Sequence, residues 1–144
     1  MGMIDVGDKP IVLREAEARG RIRLAEATLQ EIRNHRVRKG DPFPVAEVAG
    51  MQAAKQTAVL IPHCHALPLD TVEVTFTMED QGVEAACRVR AQARTGVEME
   101  ALVGVSMALN TLWDMVKYLE KDEAGQYPGT NMTDIRVVRK TKGA

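Results

Sequence analysis

Val72-Glu73-Val74-Thr75-Phe76-Thr77-Met78, followed by Asp80-Gln81-Gly82 and then Val83-Glu84-Ala85-Ala86-Cys87-Arg88-Val89-Arg90-Ala91, sets the architecture of this chain. Val72, Val74, Phe76 and Met78 alternate with Glu73, Thr75 and Thr77, the two-residue period of a strand with one buried face. Val83, Ala85, Cys87, Val89, Ala91 and Ala93 repeat the pattern against Glu84, Arg88, Arg90 and Arg94. Two such runs joined by a short turn predict a β-hairpin. Its apolar face needs a cover, and the flanking segments supply one.

Upstream, even positions from Val12 to Leu24 are apolar and the odd ones from Glu15 to Arg23 charged, which predicts a long strand with Arg14 as the charged exception on its apolar face. Ala25 to Asn34 fits a short amphipathic helix, ending at the basic turn His35-Arg36-Val37-Arg38-Lys39-Gly40-Asp41-Pro42. Pro44 to Val59 reads as a second helix with its proline near the first turn and Lys55 late in it. Leu60-Ile61-Pro62-His63-Cys64-His65-Ala66-Leu67-Pro68-Leu69 is an irregular connection, since neither a helix interior nor a central strand accepts these prolines. Leu60, Ile61, Leu67 and Leu69 are its expected apolar anchors.

Downstream, Glu98 to Lys121 is the longest helical candidate, apolar nearly all round and therefore expected to be buried. Glu98, Ser106, Asn110, Asp114 and Lys117 fall on one polar stripe of it. A loop at Gly125-Gln126-Tyr127-Pro128-Gly129-Thr130 precedes a basic strand with Ile135, Val137 and Val138 among Arg136, Arg139 and Lys140. Met1 to Pro10 is expected to be extended, and the last residues, 141–144, extended or frayed. The order strand, helix, helix, strand, strand, helix, strand describes one α+β domain over 1–144. Its fold is a ferredoxin-like sandwich, an antiparallel sheet with helices on one face.

Composition narrows the function. The 144 residues carry nineteen basic and twenty acidic side chains, so no global field announces nucleic acid or a membrane surface. With 3% aromatic residues there is no stacking platform for single strands. No apolar run approaches the ~20 residues of a membrane span, and Cys64 and Cys87 without a signal peptide read as free thiols of a cytoplasmic protein.

Several groups carry chemistry on either of two readings. Asp114 and Lys117 share a helix face, as a solvated ion pair or as an acid-base pair. Glu98 and Glu100 either complement a helix N-terminus or act in a site. Lys39 in its tight turn is a solvated loop residue or a phosphate contact. His63, Cys64 and His65 have zinc-type side chains, but adjacent residues seldom share one ion, which leaves packed or substrate-orienting histidines as the other readings.

Taken together, Lys39-Gly40-Asp41, Val48 to Lys55, Leu60-Ile61-Pro62 with Cys64-His65, Thr95 to Leu102, Asp114-Met115-Val116-Lys117 and Asp134-Ile135-Arg136 resemble the cyclic pyranopterin monophosphate synthases, the MoaC family of molybdenum cofactor biosynthesis. The resemblance runs from about Met3 to Lys140. It implies a ferredoxin-like subunit in a homohexamer, a trimer of dimers, with sites at dimer interfaces. It also implies a metal-independent, cofactor-free conversion of 3′,8-cyclo-7,8-dihydroguanosine 5′-triphosphate to cyclic pyranopterin monophosphate with release of pyrophosphate. Residue by residue, Asp114, Lys117 and Lys39 match the catalytic positions. Arg14 and Lys140 match basic residues near the substrate, and Cys64-His65 with Glu98-Met99-Glu100 match the pocket lining, where His63 also falls. The family usually has an apolar residue at His63 and a proline at Ala66, and 122–131 is longer here than in many bacterial relatives. The contrasting class is a non-catalytic, oligomeric ferredoxin-like module that binds phosphorylated ligands.

Overall fold

The computed structural model describes residues 1–143. Its elements are β1 (Val12–Arg23), α1 (Glu26–Arg33), α2 (Pro42–Lys55), α3 (Thr57–Leu60), β2 (Thr71–Glu79), β3 (Gly82–Ala93), α4 (Glu98–Glu120) and β4 (Asn131–Lys142). The hairpin forms as its period requires, with Val74 opposite Cys87 and Glu79 opposite Gly82 across a two-residue turn. Its second arm pairs with β1, and β1 with β4, giving an antiparallel sheet of order β2-β3-β1-β4. That order, with helices between β1 and β2 and between β3 and β4, is the ferredoxin-like α+β arrangement.

One sheet face is apolar and covered. Ala16, Ala18 and Ile22 of β1 and Val83, Ala85, Cys87 and Val89 of β3 form a continuous core with Val105, Ala108, Leu109, Leu112 and Val116 of α4. Small residues set the closest approach. A Cβ at Gly104 would lie 2.5 Å from the Cys87 Sγ and 3.2 Å from the Gly50 carbonyl oxygen, so α4 can lie this near β3 and α2 only with glycine there. The opposite sheet face carries ion pairs, among them Arg21 with Glu84 at 3.0 Å and Arg88 with Glu15 at 3.3 Å. Such half-exposed pairs contribute little stability each. Glu120, at the end of α4, accepts from the Ala25 N–H and from the hydroxyls of Thr28 and Thr130, which ties α1 and the start of β4 to the helix.

Four local expectations change. The second helix begins at Pro42, capped by the Asp41 carboxylate that accepts the Phe43 N–H at 3.1 Å, and it ends at Lys55. The break falls at Gln56, whose N–H turns back to the Ala53 carbonyl, while the buried Thr57 hydroxyl donates to Ala54 O at 2.9 Å. Leu60 is exposed rather than an anchor, whereas Leu67 and Leu69 do pack on the core. The long helix is not buried all round: Met107, Asn110 and Asp114 lie on an open face. Thr141 and Lys142 belong to β4, which continues because β1 is long enough to pair it, Arg14 standing opposite Lys142. Ala144 lies outside the described residues.

Candidate active site

All of the expected site residues except Arg14 gather near the two ends of α4. Asp114 follows Glu98 by sixteen positions, about 24 Å of helix at ~1.5 Å per residue.

At the C-terminal place, Lys117 lies one turn beyond Asp114, and its Nζ meets Asp114 Oδ1 at 3.1 Å. Lys39 arrives from the turn between α1 and α2, donating to Asp114 Oδ2 at 3.2 Å and to the Asp114 backbone oxygen at 3.0 Å. The bond from Lys117, then that from Lys39, holds the Asp114 carboxyl below the usual carboxylate range. Asp114 in turn raises Lys117. All three side chains are open to solvent, beside a cleft of about 410 Å³ lined by Asn110, Trp113, Asp114, Lys117 and Met132. Tyr127, from the loop after α4, packs its ring edge-on to Trp113 at 5.2 Å.

At the N-terminal place, His63, Cys64, His65, Glu98, Met99 and Glu100 line a cleft of about 420 Å³. Lys140 of β4 closes one side through Glu98 Oε1 at 3.2 Å. The other oxygen, Glu98 Oε2, is buried without a partner and is a free acceptor. Glu100 is 4% exposed, and burial, with some help from Glu98, raises its carboxyl above the ordinary value. Burial, then the charges of Glu100 and Glu98, raises the Cys64 thiol, so thiolate chemistry is disfavoured. His65 Nε2 lies 2.7 Å from the Ile4 carbonyl oxygen, which lays the N-terminal arm across this cleft. Among the described residues no group of three or more His, Cys, Asp and Glu side chains is arranged to hold a metal ion.

Arg14 lines neither cleft. It is 5% exposed and donates to the carbonyls of Ala93 and Arg94, so it fixes the end of β3 from which the Arg94-Thr95-Gly96 turn enters α4. The N-terminal arm and Lys9, which also line the His65 cleft, were missed in the sequence because they have no periodicity. Trp113 and Tyr127 were missed as site neighbours for another reason: one read as helix core and the other as loop. A third cleft, about 550 Å³, lies at the hairpin tip, holds none of the expected residues, and has its Arg21 neutralised by Glu79, Glu84 and Asp134.

Relatives share nearly the whole chain. A protein of Thermococcus kodakarensis named probable cyclic pyranopterin monophosphate synthase is 54% identical over 98% of this chain and 90% of its own. One of Sulfolobus acidocaldarius with the same name is 51% identical over 97% of this chain and 98% of its own. A Methanothermobacter thermautotrophicus protein named probable cyclic pyranopterin monophosphate synthase accessory protein is 49% identical over 97% of this chain and 88% of its own. The model of the MoaC family matches residues 3–143, a span that takes in every helix and strand that builds the two clefts; the chain belongs to the MoaC family.

Proposed function

We propose that this chain is a cyclic pyranopterin monophosphate synthase acting in molybdenum cofactor biosynthesis. It converts 3′,8-cyclo-7,8-dihydroguanosine 5′-triphosphate to cyclic pyranopterin monophosphate and releases pyrophosphate. The observation that carries this reading is identity at half of all positions, end to end, with relatives named for that activity.

The reaction opens and recloses a purine ring and then sends a sugar hydroxyl to the α-phosphorus, so it needs proton carriers and cations for the phosphates. The two clefts divide these tasks. Lys39 and Lys117, charged around an ionised Asp114, form a cationic group suited to phosphate oxygens. Glu98 Oε2, an unpaired acceptor, suits an N–H of the heterocycle, and the raised Glu100 carboxyl holds a proton closer to neutral pH than an ordinary glutamate does. Lys140 and Lys9 flank the same cleft as further cations. Arg14 acts from behind, through the carbonyls it holds.

One substrate does not span about 24 Å of helix between the clefts. We therefore infer that a second copy brings its Asp114 end to this chain's Glu98 end, in a hexamer built as a trimer of dimers. The open face of α4 with Met107, and the exposed Val45 and Val48 of α2, are apolar surface available to such a contact. A single domain working in the cytoplasm is part of the same reading.

Purified protein given the cyclised GTP derivative should release pyrophosphate, and none released would overturn the proposal. The accessory name of one relative makes a non-catalytic module for phosphorylated ligands the reading to separate. Asp114→Asn should lower turnover by about 100-fold or more while substrate still binds. Binding by both proteins with turnover by neither would favour the module.

A further inference from the structure

Lys39 is 75 residues from Asp114 in sequence and lies at the tip of an irregular connection, yet its Nζ meets two oxygens of that one residue. Something must fix the tip. Its ends are held: Val37 is buried, and Asp41 caps α2. Between them Val37-Arg38-Lys39-Gly40 makes a tight turn, closed by the Gly40 N–H to the Val37 carbonyl at 3.0 Å. Gly40 has a φ of 105°, which a residue with a Cβ rarely adopts. A turn of this kind leaves the N–H of its second residue, Arg38, without a partner inside the turn.

That N–H is donated to the Tyr118 hydroxyl at 2.6 Å. The Arg38 guanidinium lies over the ring of the same tyrosine, 4.6 Å from its centroid, a cation–π contact. Tyr118 stands one helical turn beyond Asp114 on α4 and directly after Lys117. The contacts close a ring: Asp114, Lys39, Arg38, Tyr118, and back along α4 to Asp114.

We propose that Tyr118 is a positioning residue that registers the Lys39 turn on α4, so that Lys39 is presented to Asp114. Its phenol grips the backbone of the preceding residue from one side and its ring holds the Arg38 side chain from the other. Tyr118 does not touch the Asp114 carboxylate in this arrangement; its influence passes through Lys39. The charged and titratable groups facing Asp114 are Lys39 from the turn and Lys117 from α4, with Tyr127 of the following loop facing Lys117.

The test is a titration of the Asp114 carboxyl, followed by carbon NMR, in wild type, Tyr118→Phe, Lys39→Ala and the double variant. Tyr118→Phe removes one oxygen, keeps the ring, and leaves the helix face filled. Loss of a lysine partner lets the carboxyl take up its proton at higher pH, so Lys39→Ala should move its titration upward. Tyr118→Phe should move it in the same direction by a smaller amount, and should add nothing once Lys39 is gone. Tyr118→Ala, which also removes the ring, should come closer to Lys39→Ala. An Asp114 titration unchanged in both tyrosine variants, or an equal effect of Tyr118→Phe with and without Lys39, would overturn the proposal. The catalytic consequence, a kcat reduced about 3- to 10-fold by Tyr118→Phe, rests on the synthase reading. The titration does not, so a chain without turnover whose Asp114 still answers to Tyr118 sinks that reading and leaves the positioning role standing.

Discussion

Glu100 is buried yet ionisable, and it stands among groups that respond to its charge. Its raised carboxyl means that the folded state holds the proton more tightly than the unfolded chain does. The stabilising influence is therefore full below the unfolded value and is lost as pH rises through the folded one. Glu100→Gln should raise the melting temperature at about pH 7.5 and lose that advantage below about pH 4, a reversal that differential scanning calorimetry at both values would reveal. The same variant removes a charge that holds the Cys64 thiol up, so Cys64 should alkylate faster in it than in wild type at equal pH. Cys87 is an internal control, since burial has its thiol pushed up to about 12 and it should react only on unfolding. Candidate residues such as Glu98, Glu100, Asp114 and Lys117 were legible because their polarity interrupts an apolar helix. Lys39 and Lys140 were candidates too, but which carboxylate each meets was not legible, because they reach Asp114 and Glu98 across 75 and 42 residues of chain.

The elements that could be read from sequence are those with one wet and one dry side. β1 and β3 alternate because the sheet buries one of their faces, and burial follows the alternation along both. β4 is exposed along almost its whole length, so nothing forces a period on it and its extent had to come from pairing with β1. The break at Gln56 was equally hidden, since it depends on which carbonyl the Thr57 hydroxyl finds. Packing of α4 on β3 gives the sharpest prediction at this level. Gly104→Ala places a methyl group 2.5 Å from the Cys87 sulfur, inside a core with no room for it. The expected loss is about 1–3 kcal/mol in a denaturant melt. A loss within error of zero would mean that α4 lifts freely from the sheet. Cys87→Ala, by vacating that space, should offset part of the loss in the double variant.

At the scale of the whole molecule the two clefts are the dominant fact, because α4 holds the Asp114 group and the Glu98 group rigidly apart. If copies complete one another's sites, chains disabled at opposite ends should rescue one another. Asp114→Asn and Glu100→Gln proteins, each expected to turn over far more slowly than wild type alone, should regain part of the wild-type turnover after being unfolded together and refolded as a mixture. Two copies of the same variant should regain nothing. No rescue in a mixture shown by native mass spectrometry to contain both chains would place each site within one subunit. The fold class could be read from the order of elements, whereas a site shared between copies was an expectation of the family resemblance alone, since sequence spacing does not say which surfaces face a neighbour.

The sheet order also has a consequence in time. β1 is the first strand of the chain and a central strand of the sheet, but its partners β3 and β4 come after long intervening segments, with Arg14 opposite Lys142 at the far end. Until they arrive, Ala16, Ala18 and Ile22 have no neighbouring strand. Pairings so distant close slowly, because the entropy of the intervening chain is lost before the contacts compensate. Nucleation is therefore expected at the β2–β3 hairpin, with the earliest strand among the last to find its place, an order that φ-values near one in the hairpin and near zero in β1 would bear out.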